Sequence, residues 1–376
     1  MNKHKVLIVA NADSSLLRER VQMTIDMGHE VIWYSESRNV PLAGCKIVHA
    51  RKRTSIGIVD KALSISLFFS VLRKERPELL HIHWALFTPI LFMRSLPPVL
   101  VSVMGSDVNL PGRFGLRRFF ARLSLNRAKL ITSKSSGMDE AILALGDYGS
   151  KIRRVTWGLD EKWFALSMQK AKARERLGIE QDAVVFFSPR AHTQIYRVPE
   201  IVQAFIALLE KNPSRPLTLL VAGSFNGTEP GEDVSRLVDS GPRKRHIKLV
   251  GMLGQESMQD HYAACDAVVS YASTDGMPQS LYEAMAAGCF PIFTDLPCYT
   301  ELLQDGHNAL LCDTNNPESL SSQLAGYLLL KETNREKTAL QENIEMVRKV
   351  ASKESQEKIL ANIYDAIVAD VRSTTA

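Results

Sequence analysis

Short apolar runs alternate along the chain with longer amphipathic segments, and this pattern predicts alternating strands and helices. The run Val6–Ala10 is continuously apolar, as expected for a strand buried on both faces of a parallel sheet. Leu16–Met27 follows with helical spacing, and Gly28 ends that helix before a second predicted strand at Glu30–Ser35. This strand–helix–strand opening predicts a doubly wound α/β sheet.

The alternation continues to about residue 165, pauses, and then starts again. Predicted strands of the first series are Leu79–His83, Val99–Val103 and Leu130–Ser133, and its helices are Ile56–Glu75, Phe119–Ala128 and Met138–Leu145. Predicted strands of the second series are Val184–Ser188, Thr218–Ala222, Ile247–Val250, Ala267–Ser270, Phe290–Thr294 and Ala309–Cys312. A Lys- and Arg-rich helix, Ser167–Gly178, is predicted to link the two series, and Asn334–Val371 to be helical.

The pattern therefore predicts two Rossmann-like domains with doubly wound parallel sheets. We place the first domain at residues 1–165, the second at 166–355, and a separate C-terminal helix at 356–376. Two such domains in tandem are expected to face each other across a cleft. Ligands of these sheets bind outside the carboxyl ends of the strands.

Composition fits this picture of two packed cores in a soluble protein. Of the 376 residues, 45% are hydrophobic and 23% are charged. Residues 1–13 lack the features of a signal peptide, and no uncharged run approaches the roughly 18 residues that span a membrane. The five cysteines are Cys45, Cys265, Cys289, Cys298 and Cys312, without metal-ligand spacing. We expect buried thiols in a reducing cytoplasm, and no metal site.

Charge is divided unequally between the two halves. Residues 1–170 hold 26 Lys and Arg against 14 Asp and Glu, whereas the remaining residues hold 20 against 27. A basic first half attracts anionic partners. Arg113–Arg127 interleaves Arg with Phe and Leu, and residues 51–53 add three cations. This helix either rests on an anionic membrane surface, which would make the protein peripheral on the inner face of the cytoplasmic membrane, or buries its Phe side chains in the core. No nucleic-acid motif is present, and no nucleic-acid partner is expected.

The most informative stretch for chemistry is Ser273–Ile292. Asp275 precedes Glu283 by eight residues, and the turn Gly276-Met277-Pro278 between them predicts the start of a helix at Gln279 and Ser280. The free N–H groups of a helix N-terminus, at the positive end of its dipole, bind phosphate. The acids are better placed to accept hydrogen bonds from sugar hydroxyls. The stretch therefore predicts a nucleotide-sugar site, the alternative being an ordinary loop–helix–strand unit with solvated acids.

These residues resemble the signature of the retaining glycosyltransferases of family 4, which have the two-domain GT-B fold and glycosyltransferase group 1 type sequences. The family usually has Glu, seven residues and Glu; here the first acid is Asp275. The resemblance covers most of the chain and is strongest over about residues 245–330. It implies that Asp275 holds the donor sugar, that Glu283 binds the ribose, and that the final helix crosses back to the first domain.

Two further stretches carry the resemblance, each with a departure. In Ser188–Tyr196, Arg190 matches the arginine that holds the donor diphosphate, but Ile195 replaces the usual lysine, so Arg197 or His192 is left to contribute. The alternative for Arg190 is a surface salt bridge.

In Val101–Pro111, Gly105 and Asp107 match, but Met104 replaces the usual histidine near the reacting centre. The alternative there is a strand-end turn capped by Asp107. His83 and Trp84 end a strand and are expected to line the substrate site.

The resemblance implies a metal-independent, retaining hexosyltransferase for which the nucleotide-sugar is a substrate and no cofactor is needed. The acceptor would be a hydroxyl of a lipid-linked or cell-surface glycan, as in polysaccharide or lipopolysaccharide assembly. Predicted catalytic residues are Asp275, Arg190 and Asp107; predicted substrate-binding residues are Glu283, Gly276, Met277, Pro278, Gln279, Ser280, Gly105, Met104, Arg197 and His83. The alternatives are a nucleotide-sugar epimerase and a non-catalytic GT-B subunit of a glycan-assembly system.

Overall fold

The computed structural model describes residues 2–37, 41–50, 57–87, 89–90, 96–108, 115–224, 227–239 and 242–375. The chain divides into two compact units. The first domain comprises Met1–Gly158 together with Lys353–Ala376, and the second domain comprises Leu159–Ser352. The sequence placed the corresponding boundaries after residues 165 and 355.

The first domain is built on a seven-stranded parallel sheet in the order β3-β2-β1-β4-β5-β6-β7. Its strands are β1 (Lys5–Val9), β2 (Glu30–Ser35), β3 (Cys45–His49), β4 (Leu79–His83), β5 (Val99–Ser102), β6 (Leu130–Ser133) and β7 (Ile152–Arg154). Its helices are α1 (Ser15–Asp26), α2 (Gly57–Glu75), α3 (Leu116–Arg127), α4 (Ser136–Leu143) and, from the far end of the chain, α13 (Lys353–Thr375).

The second domain has a six-stranded parallel sheet in the order β10-β9-β8-β11-β12-β13. Its strands are β8 (Val184–Ser188), β9 (Leu217–Ala222), β10 (Ile247–Gly251), β11 (Ala267–Ser270), β12 (Phe290–Thr294) and β13 (Leu310–Cys312). Its helices are α5 (Glu161–Phe164), α6 (Lys170–Leu177), α7 (Val198–Lys211), α8 (Glu229–Asp239), α9 (Gln255–Ala264), α10 (Gln279–Ala286), α11 (Pro317–Glu332) and α12 (Glu336–Ala351).

The region expected to be helical over Asn334–Val371, with a separate C-terminal helix from residue 356, consists of two helices, α12 and α13. Ser352 between them is extended, with ψ 148°, and forms a parallel bridge with Leu159. The backbone N–H of Leu159 also donates to the carbonyl of Ala351, at 2.8 Å. The break therefore coincides with the boundary between the two domains.

Helix α13 completes the core of the first domain. Leu360, Tyr364 and Ile367 are almost fully buried and pack with Val6 and Leu79 of the central strands. The Tyr364 hydroxyl shares a 2.7 Å hydrogen bond with Nδ1 of His81. These buried contacts make the helix a structural part of the first domain. The burial stabilises the domain, because removing apolar surface from water contributes about 25 cal/mol per Å².

A buried carboxylate ties several elements of the second domain together. Asp266 accepts hydrogen bonds from Arg174 at 2.8 Å, from Lys170 at 3.0 Å and from Lys331 at 2.8 Å, and also from the backbone N–H of Val185 at 2.8 Å. Burial opposes the charge of Asp266, but the three cations outweigh it and hold its pKa at about 2. The cluster joins α6, α11, β8 and the start of β11.

All five cysteines are free thiols, and all but Cys45 are buried. Burial raises the pKa of Cys298 to about 11 and that of Cys312 to about 12. The Sγ atoms of Cys265 and Cys289 lie 3.0 Å apart in the core. Protonated, buried thiols of this kind are poor nucleophiles.

Candidate functional site

In each sheet one pair of adjacent central strands marks the point at which the strand order reverses. These pairs are β1 and β4 in the first domain, and β8 and β11 in the second. The crevice outside the carboxyl ends of such a pair is where doubly wound sheets bind ligands. The predicted site residues of each domain follow these strands or their neighbours, so we describe the two groups separately.

In the second domain, Arg190 and Asp275 form a buried ion pair. Arg190 Nη2 lies 2.5 Å from Asp275 Oδ2, and the two side chains are 6% and 10% exposed. Arg190 Nη1 donates to Ser280 Oγ in the first turn of α10, at 2.9 Å. The structure therefore brings Arg190 to Asp275 and Ser280, which lie 85 and 90 residues further along the chain, and it excludes a surface salt bridge for Arg190.

Two tyrosines that the sequence analysis did not single out complete this cluster. The hydroxyl of Tyr299 donates to Asp275 Oδ2 at 2.9 Å. The Arg190 guanidinium lies over the ring of Tyr196 in a cation–π contact, with Arg190 Cζ 3.9 Å from the ring centroid. Tyr299 follows β12 in a short 3₁₀ turn, Pro297–Tyr299, and no sequence pattern marks that turn as part of the site.

The turn before α10 has the expected form. The backbone N–H of Gly276 donates to Asp275 Oδ1 at 2.8 Å. Met277 adopts a left-handed conformation, φ +60°, although it is not glycine and its side chain is buried. Pro278 is the N-cap residue of α10, and no side chain caps the helix, which begins at Gln279. The turn thus presents the positive end of α10 next to Arg190.

Glu283 lies one turn into α10 and is half-buried. Its carboxylate is next to the buried hydroxyl of Tyr262, whose pKa is raised first by burial and then by Glu283. Tyr262 also donates to the carbonyl of Ser280, at 3.3 Å. Glu283 is therefore held on the same helix end as Ser280, with Tyr262 as its neighbour.

Arg197 and His192 are engaged elsewhere. Arg197 Nη1 donates to the carbonyl of Thr314 at 2.7 Å, and its guanidinium lies over the ring of Tyr271. His192 Nε2 contacts the carbonyl of Ala222 at 3.1 Å. Neither contact connects the side chain to the Arg190–Asp275 pair, so the described contacts give no support to Arg197 as a replacement for the missing lysine.

In the first domain, Asp107 is fully buried and saturated with backbone hydrogen bonds. Its Oδ1 accepts from the N–H groups of Met104 and Gly105, each at 2.9 Å, and its Oδ2 accepts from Ala85 at 2.6 Å. Gly105 has φ +107°, a conformation that side chains disfavour. Asp107 therefore joins the loops after β4 and β5. The described contacts give no support to the catalytic role predicted for Asp107, since both of its carboxylate oxygens accept backbone hydrogen bonds and lie away from solvent.

His83 and Met104 line a cavity of about 450 Å³ at the carboxyl ends of the central strands. The imidazole of His83 lies against that of His81, with ring centroids 4.2 Å apart and ring planes inclined by 32°. His81 in turn hydrogen-bonds the hydroxyls of Tyr364 and Ser102. The structure thus places two of the predicted substrate-binding residues, His83 and Met104, in the lining of one cavity. His83 contacts a buried polar network that includes His81, Ser102 and Tyr364.

The predicted membrane-facing segment is described only in part. Residues 51–53 and Arg113 lie outside the described residues, whereas in α3 the side chains of Leu116 and Phe119 are 71% and 56% exposed. Phe119 therefore does not face the core, whereas Phe120 of the same helix is half-buried. Among the described helices, none is long and apolar enough to cross a bilayer. Binding to a membrane surface stays a prediction.

Comparison with known proteins identifies the family. The chain matches the family model described as glycosyl transferases group 1 over residues 169–344, and the model described as glycosyl transferase 4-like over residues 5–135.

Two curated relatives match the chain at low sequence identity. A D-inositol 3-phosphate glycosyltransferase of Corynebacterium urealyticum is 25% identical over 216 residues, which are 56% of this chain and 50% of that protein. An N-acetyl-alpha-D-glucosaminyl L-malate synthase of Bacillus anthracis is 22% identical over 283 residues, 73% of this chain and 71% of that protein. This chain thus spans about half the length of the first relative.

Solved structures share the whole two-domain architecture. Sucrose-phosphate synthase from Thermosynechococcus elongatus has a TM-score of 0.82 at 15% identity, covering 98% of this chain and 100% of that one. HepE of Anabaena in complex with UDP-glucose has a TM-score of 0.74 at 14% identity, covering 96% and 100%. At these identities the likeness shows the fold, whereas the two family models together span most of the sequence. The chain therefore belongs to the group 1, family-4-type glycosyltransferases and has the GT-B fold.

Proposed function

We propose that the protein is a retaining glycosyltransferase that moves a hexosyl group from a nucleotide-sugar to a hydroxyl of a lipid-linked or cell-surface glycan. The observation that carries the proposal is the buried Arg190–Asp275 pair at the N-terminus of α10. An arginine fork matches diphosphate oxygens, and a carboxylate accepts hydrogen bonds from sugar hydroxyls. Arg190 could therefore bind the diphosphate of a nucleotide-sugar, and Asp275 could bind its sugar hydroxyls.

The donor diphosphate would lie between Arg190 and the uncapped first turn of α10. Arg190 Nε is buried without a hydrogen-bond partner among the described residues, so the guanidinium keeps donor capacity. Ser280 Oγ, which already contacts Arg190, adds a hydroxyl at the same point. Glu283 would accept hydrogen bonds from the ribose. HepE, a structural neighbour, was solved with UDP-glucose, which supports a nucleotide-sugar donor.

In the proposed reaction, the bond from the sugar C1 to the phosphate oxygen breaks, and a bond from C1 to the acceptor oxygen forms on the same face. The acceptor hydroxyl gives its proton to the departing phosphate, so no protein base is required. Arg190 and the dipole of α10 would stabilise the charge that develops on the diphosphate. With the positive charge supplied in this way, the reaction is proposed to need neither a metal ion nor a cofactor.

The acceptor is proposed to present a hydroxyl to the first domain. The names of the two curated relatives include inositol 3-phosphate and L-malate, and both compounds carry hydroxyl groups. That agreement supports transfer to a hydroxyl. The glycan acceptor itself is our inference from the resemblance to family members.

The test is turnover of Asp275→Asn, which keeps the size and polarity of the side chain next to Arg190. Nucleoside diphosphate release would be measured over a panel of nucleotide-sugars, with extracted membrane glycolipid as acceptor. We expect kcat to fall more than ~100-fold, because removal of a group that contacts the reacting sugar costs several kcal/mol of transition-state binding. The melting temperature is measured for each variant.

Asp260→Asn is the matched control, because Asp260 also pairs with an arginine of the second domain, Arg176, but at the exposed surface. It should leave kcat unchanged. Equal turnover of folded Asp275→Asn and the parent protein would refute the proposed site. Diphosphate release without acceptor would instead favour an epimerase or hydrolase, and absence of release over the whole panel would favour a non-catalytic subunit.

A further inference from the structure

The cavity of the first domain lies at the switch point of its sheet. It is about 450 Å³ in volume and is lined by residues that end or follow β1, β2, β4 and β5, among them Asn11, Tyr34, His83 and Met104. A volume of this size accommodates one hexose ring with a substituent, because ligand pockets begin at about 300 Å³. The lining is mostly apolar, with a few polar groups.

His83 faces this cavity with unused hydrogen-bonding capacity. Its side chain is 6% exposed, and neither ring nitrogen has a hydrogen-bond partner among the described residues. Burial, followed by the nearby Arg20 and Lys134, lowers the pKa of His83 to about 3, so the ring is neutral near pH 7. A neutral imidazole has one donor and one acceptor, which a ligand hydroxyl can satisfy.

Trp84 stands at the same opening in a strained conformation. Its φ is +103°, in a region that bulky residues rarely adopt, and its side chain is 41% exposed. Its backbone N–H donates to the carbonyl of Ser102 at 2.9 Å, which helps to fix this conformation. Strain at a cavity mouth is typical of binding sites. The exposed indole offers a flat apolar face next to polar groups.

The described part of the cavity lining carries negative charge. Among its described lining residues, Glu36 is the one ionised side chain, and its carboxylate accepts from Ser64 Oγ at 2.7 Å. Like charges in a partly apolar pocket repel, so a phosphate or carboxylate of a ligand is disfavoured there. Ligand hydroxyls, by contrast, can donate to Glu36.

Two described cations, Arg20 and Lys134, act on the far side of the cavity wall formed by His83 and Met104. Arg20 and Lys134 line a separate cavity of about 20 Å³, which has room for about one water molecule but not for a phosphate. Both cations rest on the ring of Trp157, and Arg20 also donates to a backbone carbonyl. They therefore do not make the larger cavity an anion site.

We propose that this cavity binds an uncharged pyranose unit of the acceptor, packed against Trp84 and hydrogen-bonded to His83 and Glu36. This inference rests on the proposed transferase function, and it names the acceptor class. It departs from the relatives named for inositol 3-phosphate and L-malate, since both of those compounds are anionic.

The test is direct binding to the full-length protein without any donor. Saturation-transfer NMR and tryptophan fluorescence would be recorded with methyl glucoside, methyl galactoside, methyl mannoside and methyl N-acetylglucosaminide. The rival probes are D-inositol 3-phosphate, L-malate and 1,2-hexanediol. We expect at least one neutral glycoside to bind at least about 10-fold more tightly than any rival probe, a difference of about 1.4 kcal/mol.

Trp84→Gly is the informative variant, because glycine adopts positive φ without strain. The variant should keep or raise the melting temperature while glycoside affinity falls at least about 10-fold, as loss of an aromatic anchor predicts. Trp84→Phe, which keeps a ring, should lose less. Phe119→Ala, at an exposed aromatic outside the cavity, should change neither quantity. Glu36→Gln should reduce the ratio of the affinity for neutral glycosides to the affinity for D-inositol 3-phosphate, because it removes the negative charge that disfavours a phosphate.

Preferential binding of an anionic probe, or of hexanediol alone, would overturn the inference. So would glycoside binding that Trp84→Gly leaves intact. These results are separable from the donor reaction. Suppose that the parent protein transfers sugar to phosphorylated acceptors and that Asp275→Asn abolishes this turnover. The transferase proposal then stands, and the proposal of a pyranose pocket fails. If folded protein releases no diphosphate, the transferase proposal fails whatever the cavity binds.

Discussion

The carboxylate of Asp275 is one methylene shorter than the glutamate usual in the family, and Tyr299 reaches it from another loop. Burial and the Asp275 charge raise the pKa of Tyr299 above its usual range, so its hydroxyl remains a donor. The ring of Tyr299 also packs on Phe293, with centroids 5.4 Å apart. We therefore regard Tyr299 as a positioning residue that orients Asp275 through a hydrogen bond.

Tyr299→Phe removes that hydrogen bond and keeps the ring. A hydrogen bond to a charged group contributes about 1.5–3 kcal/mol, so we expect kcat to fall by about 10-fold or more while the KM for donor changes less. Steady-state kinetics and thermal melts would measure both. Tyr271→Phe is the control, because the Tyr271 hydroxyl donates to the carbonyl of Asp313 outside the cluster. Equal losses in both variants would mean a general structural effect.

Sequence reasoning found the site residues that carry a motif and missed those that depend on packing. Arg190 and Asp275 were predicted from local patterns, and the structure places them in contact. Tyr299 was missed because nothing local to its turn indicates a contact with a loop 24 residues away. The catalytic role of Asp107 was inferred from a motif, whereas its burial and three backbone donors are visible only in the fold.

At the level of elements, the central strands were predictable and two edge strands were not. β1 is apolar from Val6 to Val9, and β4 is buried along its whole length although it includes His81 and His83. β3 has an exposed Lys46, and β7 is only Ile152–Arg154 with two exposed arginines, so neither shows a buried pattern. Edge strands bury less of their surface than central strands, so the hydrophobic pattern in their sequences is weaker and predicts a strand less clearly.

The Asp266 cluster joins elements through one ionised group, and this predicts a pH dependence. The folded pKa of about 2 lies below the unfolded value of about 3.9, so the stabilisation is fully present above about pH 4 and is lost as pH falls towards 2. It is on the order of 2 kcal/mol.

Asp266→Asn should therefore be less stable at pH 7, and its free energy of unfolding should vary less than that of the parent between pH 4 and 2. Denaturant titrations over that range would measure this. Asp239→Asn, in an exposed pair with Lys244, is the control. An unchanged acid dependence in Asp266→Asn would contradict the role assigned to the cluster.

At the level of the whole molecule, the chain passes from the first domain to the second and back again. Substitutions in α13 should therefore destabilise the first domain, although this helix directly follows α12 of the second. Ile367 is 1% exposed in the first-domain core, whereas Ile359 on the same helix is 36% exposed.

Ile367→Ala should lower the free energy of unfolding of the first domain by about 2–5 kcal/mol, the usual cost of truncating a buried isoleucine. Ile359→Ala should have little effect. Calorimetry, with peptide-level hydrogen exchange to assign each transition, would measure this. A shift confined to the peptides of residues 159–352 would show that α13 stabilises the other domain.

The first domain is built from two separate stretches of the chain, and this affects the order in which the two domains can complete their folding during synthesis. Domains usually fold in the order in which the ribosome makes them. Here the segment that emerges first lacks its last helix until residues 353–376 have been translated, by which time Leu159–Ser352 is already complete. Until then the apolar faces of Val6 and Leu79 have no cover from Leu360 and Ile367. We therefore expect a chain truncated after residue 352 to contain every segment of the second domain but to lack the last helix of the first.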